Sequence, residues 1–385
     1  MKDFFILSLS VFVLLFLLVG CKKVDEVYTV SESTDCITVD FSKEFNVIKD
    51  INITDYVDSI ILIKLETKEE SLLGSITGVR LSENRIFVLD YFNGASISIF
   101  TIEGKFIKRI PTGEGPKELN QPMAFTYDSF NKELLVWQPS TMKKFSEDGD
   151  FIAEYSTKYF VNHIIPLSDN QGYLLCHFIN TPNSIYELLW TDKEFNVQKF
   201  FQIQGVGLLT MDLNALNYDD IFDVNFSRDT DDNIYSVHGG DLLIKRKIII
   251  GDKEFDTSKL KHITDYETFR SAMAAGDVAF KGGFCETQNY ELYYFDSSYG
   301  PLRIYRNKDK GNLIGGHVNF KGSVVDFVTS CEGVFQNNFV CVLENHFRDN
   351  SKPFYYNLEG NKKILSPEQM EMLKNFTEND NPIIM

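Results

Sequence analysis

The chain has 385 residues, with 55 acidic against 38 basic side chains and a net charge of −17. The length excludes a disulfide mini-protein, and a 43% hydrophobic content excludes a disordered polymer. The acidic balance argues against a nucleic-acid partner, because phosphate backbones are bound by concentrated Lys and Arg.

In chain order, the first element is an uncharged run from Phe4 to Val19 behind a basic Met1-Lys2 start. It falls short of the about 20 residues that a membrane span needs, but suits a signal-peptide core. The run ends Leu18-Val19-Gly20-Cys21 and is followed by Lys22-Lys23. That ending resembles the bacterial lipobox. The resemblance implies a signal peptide over residues 1–20 and lipidation of Cys21. The other reading is a signal anchor in which Cys21 is incidental. Residues 21–35 then comprise the lipidated cysteine and a polar tether. Asp25-Glu26 resembles the acidic export signal of surface lipoproteins in Bacteroidota. Together these features imply an outer-membrane lipoprotein of the cell envelope, facing either the periplasm or the cell surface.

From residue 36 the dominant signal is a repeat. An Asn-led polar turn followed by apolar and aromatic residues begins at Asn84, Asn131, Asn170, Asn233, Asn289 and Asn337, at intervals of 39 to 63 residues. Each copy follows another apolar stretch across a turn, and most precede two further strand-like runs. Ser96–Phe100 and Lys105–Ile110 are the clearest of these. Four strands per unit of about 50 residues is the arithmetic of a propeller blade, and six copies predict six blades. The expected fold is therefore all-β: a six-bladed β-propeller of four-stranded antiparallel blades over residues 36–365. Ile60–Leu65, lying before the first repeat, is expected to supply the outer strand of the last blade and so remove an open edge.

Between the first two copies lies Gly113-Glu-Gly115-Pro116-Lys-Glu118-Leu119-Asn-Gln-Pro122. This stretch resembles the inter-blade pattern of NHL-type propellers, with Leu119 where an aromatic residue is usual. With the opening around Asp58–Glu66, the chain is similar to the six-bladed propeller lipoproteins of Bacteroidota, a group without a settled biochemical role. The resemblance makes Gly113, Gly115, Pro116, Glu118 and Pro122 architectural residues: the glycines let the chain cross between blades and the prolines stiffen the crossing.

Two insertions break the period. One is an apolar loop at Gly205–Asn217. The other is a predicted helix with a Thr264/Glu267 capping box, Tyr266, Phe269 and Met273 on one face, and Gly276 as its stop. A C-terminal helix starting at Ser366-Pro367, with Gln369 at its third position, leads residues 366–385.

Chemistry is sparse. Walker, H-E-x-x-H and G-x-S-x-G motifs are absent from the sequence. The Asp229–Asn233 stretch begins like a calcium loop but has Ile234 where glycine is required, so it reads as a turn. His163, Asn225, Glu286 and Asp326 fall on the expected inner strands of four blades and could converge on the axis. The bland reading is a water-filled, acid-lined channel. Six-bladed lactonase-type enzymes hold Ca²⁺ with such groups, which would make Asn225, Glu286 and Asp326 metal candidates and His163 the acid/base candidate. Cys331 and Cys341 fall where they could face each other across a hairpin, while all five mature cysteines beyond Cys21 also suit buried apolar positions. The favoured function is a membrane-anchored binding module for a glycan, peptide or protein, with no cofactor. The alternative is a Ca²⁺-dependent lactonase- or lyase-type enzyme.

Overall fold

The computed structural model describes residues 30–385 except 46–48, 52, 75, 91–94, 158, 168–170, 178–185, 204–223, 228–230, 239–240, 263–268, 270, 317, 321–330 and 344–359. Six four-stranded sheets form the molecule, joined by one two-stranded pair. Blade one spans residues 76–110, blade two 124–156, blade three 161–203 and blade five 278–316, each a meander of four consecutive strands. The inner strands Ile76–Leu81, Ala124–Asp128 and Val161–Pro166 lie side by side, as do Val224–Ser227, Val278–Glu286 and Cys331–Phe335. The inner strand of blade six also lies against that of blade one, which closes the ring.

The recurring Asn-led runs are the second strands. Arg85–Asp90 and Glu133–Gln138 are buried at every residue but the first, because each is covered by a neighbouring blade on both faces. The outer strand Phe151–Ser156 instead alternates between half-buried and exposed residues, as a one-sided strand does. The turns leading into these runs use positive φ at Lys132, Gly172 and Asn337, which explains the concentration of Asn and Gly there.

The expected fold class stands, with a refinement in how two blades are completed. Blade four has three consecutive strands of its own, within residues 224–249, and blade six has two, Cys331–Phe335 and Asn338–Leu343. The N-terminal segment supplies what is missing. Strand β1 (Ser31–Asp40) pairs in parallel with Asp241–Ile249 as the fourth strand of blade four. Strand β2 (Lys49–Ile51) pairs in parallel with Val318–Phe320. Strand β3 (Ile63–Lys64) pairs with Ile383–Ile384 as the outermost strand of blade six. The expected closure by Ile60–Leu65 is therefore present, and it is one part of a strap along three successive blades. Residues 31–35, assigned from sequence to the tether, enter β1; their polar character fits a strand that is largely exposed.

Packing holds the strap down. Phe41 and Phe45 are buried in a core formed by blades four and five, with Phe41 centred 4.9 Å from Tyr293 and 5.1 Å from Phe295. Full burial of one such ring contributes about 2–3 kcal/mol. Gly251 and Gly316 flank the path, and a Cβ at Gly316 would strike the backbone carbonyl of Glu44. At the other end, buried Asn381 joins the two chain ends. Its amide donates to the carbonyls of Glu66 and Ser71, both at 2.8 Å, and accepts from Leu73 N–H at 2.9 Å.

The parallel β1 has a topological consequence. A blade built from four consecutive strands begins and ends at the same mouth of the ring, whereas one built from three ends at the opposite mouth. Blades one to three share one direction: Ser82, in the first turn of blade one, donates to Glu147, in the last turn of blade two, and Lys193 of blade three reaches Asn131 of blade two at 3.2 Å. Between blades four and five the direction reverses. Asn225 contacts Glu286, while Ser227, two residues later, contacts Gly282, four residues earlier. The inner strands of these two blades therefore run antiparallel.

Of the predicted helices, Phe269 and Met273 are buried together against Phe255 and Ala279, and Gly276 has the positive φ of a helix stop; Thr264, Tyr266, Glu267 and the Gly205–Asn217 loop lie outside the described residues. The C-terminal helix runs Pro367–Asn375 with the Ser366/Gln369 capping box. It packs Leu373 and Phe376 over the edge of blade six, after which Ile383–Ile384 joins that blade's sheet. Phe41→Ala is expected to destabilise the protein by about 3–5 kcal/mol, the usual cost of emptying a buried phenylalanine site. Urea unfolding measures this; a loss under about 1 kcal/mol would contradict a strap packed into the core.

Candidate functional site

The inter-blade motif forms a closed loop with its own internal bonds. Glu118 turns its carboxylate back on the loop, accepting from Gly115 N–H at 2.8 Å, and a Cβ at Gly113 would collide with that carboxylate. Lys143, itself buried, donates to the carbonyls of Glu118 at 2.6 Å and Gly115 at 3.0 Å. Leu119 fills the core of blades one and two, which is why an aliphatic residue serves at this position. These contacts hold the crossing between the blades.

Two of the inner-strand candidates meet. Asn225 Nδ2 donates to Glu286 Oε2 at 2.9 Å in a buried network spanning blades four and five. The second Glu286 oxygen lies 2.7 Å from Lys308 Nζ and 3.5 Å from Arg246. Glu291, fully buried, accepts from Arg246 Nε at 3.0 Å, from Arg306 at 2.8 Å and from the Tyr293 hydroxyl at 2.7 Å. Burial opposes ionisation of Glu291, but the Arg246 charge, the Tyr293 hydroxyl and Arg306 outweigh it and hold its carboxyl below the usual range. Arg246 is likewise disfavoured by burial and held charged by Glu291 and Glu286.

The network therefore places three cations around two carboxylates, with Glu286 already engaged by side-chain donors. His163 lies on the inner strand of blade three, opposite Cys176 in register. Asp326 and Cys21 lie outside the described residues. Among the described residues, no group of three His, Cys, Asp or Glu side chains is placed to hold a metal ion. A further buried cation sits between blades two and three. Lys144 Nζ is 3.2 Å from the Tyr173 hydroxyl, 3.5 Å from Glu133, and 5.2–5.5 Å from the ring centres of Tyr155, Tyr173 and Phe195.

A third arrangement, at the rim of the ring, is absent from the sequence reading. Met123 and Phe160 immediately precede the inner strands of blades two and three, and both are exposed large apolar side chains, at 39% and 42%. Both touch Trp137: Met123 N–H donates to its carbonyl at 3.0 Å, and the Phe160 ring sits edge-on at 4.9 Å. The Trp137 indole Nε1–H is buried with no partner among the described residues, and so is the side-chain amide nitrogen of Gln138. The only available sequence signal was that each residue occupies the last position before an inner strand, and single apolar residues at turns are too common to single out.

These features define a six-bladed β-propeller with buried charge at the seams between blades two and three and between blades four and five, and with Met123 and Phe160 exposed beside donors that have no partner among the described residues. The pattern of the family described as Domain of unknown function (DUF4934) matches residues 36–385, and the chain belongs to that family. Among solved structures, a Bacteroides fragilis protein described as exported is similar over 90% of this chain and 98% of its own, with a TM-score of 0.66 and 15% identity. A member of the duf4221 family from Bacteroides vulgatus is similar over 85% and 96%, with a TM-score of 0.50 and 12% identity. At such identities the likeness shows the fold alone. No curated protein matches the sequence.

Glu291→Gln is expected to cost about 3–5 kcal/mol at neutral pH, because it removes the carboxylate shared by buried Arg246 and half-buried Arg306. Since the folded protein holds this carboxyl below its unfolded value of about 4.3, its contribution is complete above that pH and disappears as the pH falls through the lower folded value. Unfolding curves across the acid range should therefore converge for the two proteins, and curves that stay parallel would assign the stabilisation elsewhere.

Proposed function

We propose that the chain is a membrane-anchored interaction module of the cell envelope, lipidated at Cys21, which holds a glycan, peptide or protein partner at the rim formed by Met123, Trp137 and Phe160. The observation that carries this reading is the pairing at one place of exposed apolar side chains with a buried indole N–H that has no partner among the described residues. A buried donor without a partner is costly, and an acceptor on a bound partner would satisfy it. The ring-closing contacts and the charged seams support the same reading, because they present the rim on a rigid scaffold. The signal-like run before Cys21 supports the envelope location, as does the description of the structurally similar Bacteroides fragilis protein as an exported one.

The chain has two tryptophans, so Trp190→Phe leaves Trp137 as the sole indole reporter. Titration of that variant with solubilised envelope glycans, and separately with envelope proteins, is expected to give a saturable shift of its emission in one of the two. Phe160→Ala should weaken the response at least about tenfold, the size of a modest interface hot spot. Binding that leaves the Trp137 emission unchanged, or that ignores Phe160→Ala, would move the site away from this rim.

The anchor is tested separately. Metabolic labelling with an alkyne fatty acid is expected to mark the wild-type protein and to be abolished by Cys21→Ser, which should also release it from the membrane fraction. Retention of the label in Cys21→Ser would refute lipidation at that residue.

A further inference from the structure

Blade six is the most economically built of the six, with two strands of its own and two short ones borrowed from the chain ends. Its own two strands carry a cysteine each, Cys331 and Cys341, and these are direct partners across the antiparallel ladder. Cys341 N–H and C=O both turn away toward Met385, at 2.8 and 2.9 Å, while Cys331 N–H donates to the Tyr294 hydroxyl at 2.6 Å. The Cys341 backbone and the Cys331 N–H are thus bonded away from the pair, which sits at a register shift of the ladder. Opposed Cα atoms of antiparallel strands lie about 4.5–5.5 Å apart. That separation falls within the range that a disulfide spans. Both residues are free thiols in this structure, and the Cys331 thiol interacts directly with those of Cys285 and Cys341. Leu292, Val334, Tyr305 and Phe339 pack around them.

We infer that Cys331 and Cys341 are a redox-active pair that closes into a cross-strand disulfide when the protein meets a thiol-oxidising disulfide, and so pins the two strands that blade six makes for itself. The Cys331 thiol is buried and donates to the Gly333 carbonyl at 2.9 Å, whereas Cys341 is half-buried. One of the two, as thiolate, displaces one thiol from the oxidant's disulfide, forming a mixed disulfide and leaving its own proton to solvent. The other, as thiolate, then attacks the linked protein sulfur and expels the second thiol. Two protein thiols lose two electrons and two protons, and one disulfide of the oxidant becomes two thiols.

Cys285 belongs to the inner strand of blade five, so a Cys285–Cys331 bond would tie neighbouring blades together instead of pinning one hairpin. The two bonds are distinguishable, because Glu332 lies between Cys331 and Cys341 and cleavage after it separates them.

The test uses the mature full-length protein, equilibrated with glutathione disulfide, denatured, alkylated without reductant and digested after glutamate. The expected result is a linked Cys331–Cys341 pair with Cys36, Cys176 and Cys285 alkylated. Alkylation of both Cys331 and Cys341, or a link from Cys331 to Cys285, would overturn the inference. A second measurement does not depend on the mapping. Reduction of the oxidised wild-type protein with dithiothreitol should lower its Tm by several degrees, and Cys341→Ala should show no such difference. Equal Tm values for oxidised and reduced wild-type protein would also overturn it. If Cys341→Ala fails to fold, Cys331→Ala serves as the non-closing control.

Discussion

An unpaired sheet edge is the constraint on which the rest of this molecule depends. Each blade must end in a strand that faces solvent, and the ring must close without leaving a seam. In blades one, two, three and five the chain solves this locally with a fourth consecutive strand. In blades four and six it does so at long range, with β1 and β3 drawn from the N-terminal segment. The N-terminal segment thus completes the fourth and sixth blades and, between them, pairs with Val318–Phe320. Ring closure depends on short strands, with two residue pairs between β3 and Ile383–Ile384, so the ladder alone is weak. Asn381 compensates by bonding backbone groups of the N-terminal segment from the C-terminal side.

What was legible in the sequence follows from this division. The second strands are sandwiched between blades and so must be continuously apolar, and the turns before them need residues that tolerate positive φ. Both demands leave a local trace, seen at Asn131-Lys132 and at Asn337. The strap leaves almost none. β1 is polar because it is largely exposed, and its partner lies some two hundred residues away, so neither period nor composition marks it. The Ile60–Leu65 stretch was readable because it is apolar, unlike β1. At the candidate site, Asn225 and Glu286 could be assigned to inner strands from their place in the repeat. Their true surroundings could not, because Arg246 and Lys308 reach Glu286 from a third strand and a turn that the repeat leaves variable.

Charge is distributed in the fold according to how much the neighbouring geometry already specifies. The seam between blades one and two is mostly apolar, with Phe87 stacked on Tyr127 at 5.2 Å, and its two blades run in the same direction. The seam between blades four and five joins inner strands of opposite direction, and it carries the densest buried ion network among the described residues. Buried ion pairs add little net stability over well-packed apolar groups, but removing one partner is severely penalised. Their use is therefore as a gauge of register. At a seam where repeat geometry gives no guide, the Arg246–Glu291 and Lys308–Glu286 contacts admit one alignment and penalise the others.

The reversal also changes how positions on different blades should be compared. Asn225 is the second residue of its inner strand and Glu286 is the last of its own. If all blades ran in one direction, these residues would lie near opposite mouths of the ring and could not meet. They stand 2.9 Å apart because blade four contributes three consecutive strands and delivers the chain to the other mouth before blade five begins. Convergence of inner-strand residues on a common site is therefore governed by the parity of strands in the preceding blades, and not by equal position within the repeat. In this chain the blade that borrows its outer strand in parallel is a switch of direction, and any site assembled across it must be read with the count reversed on one side.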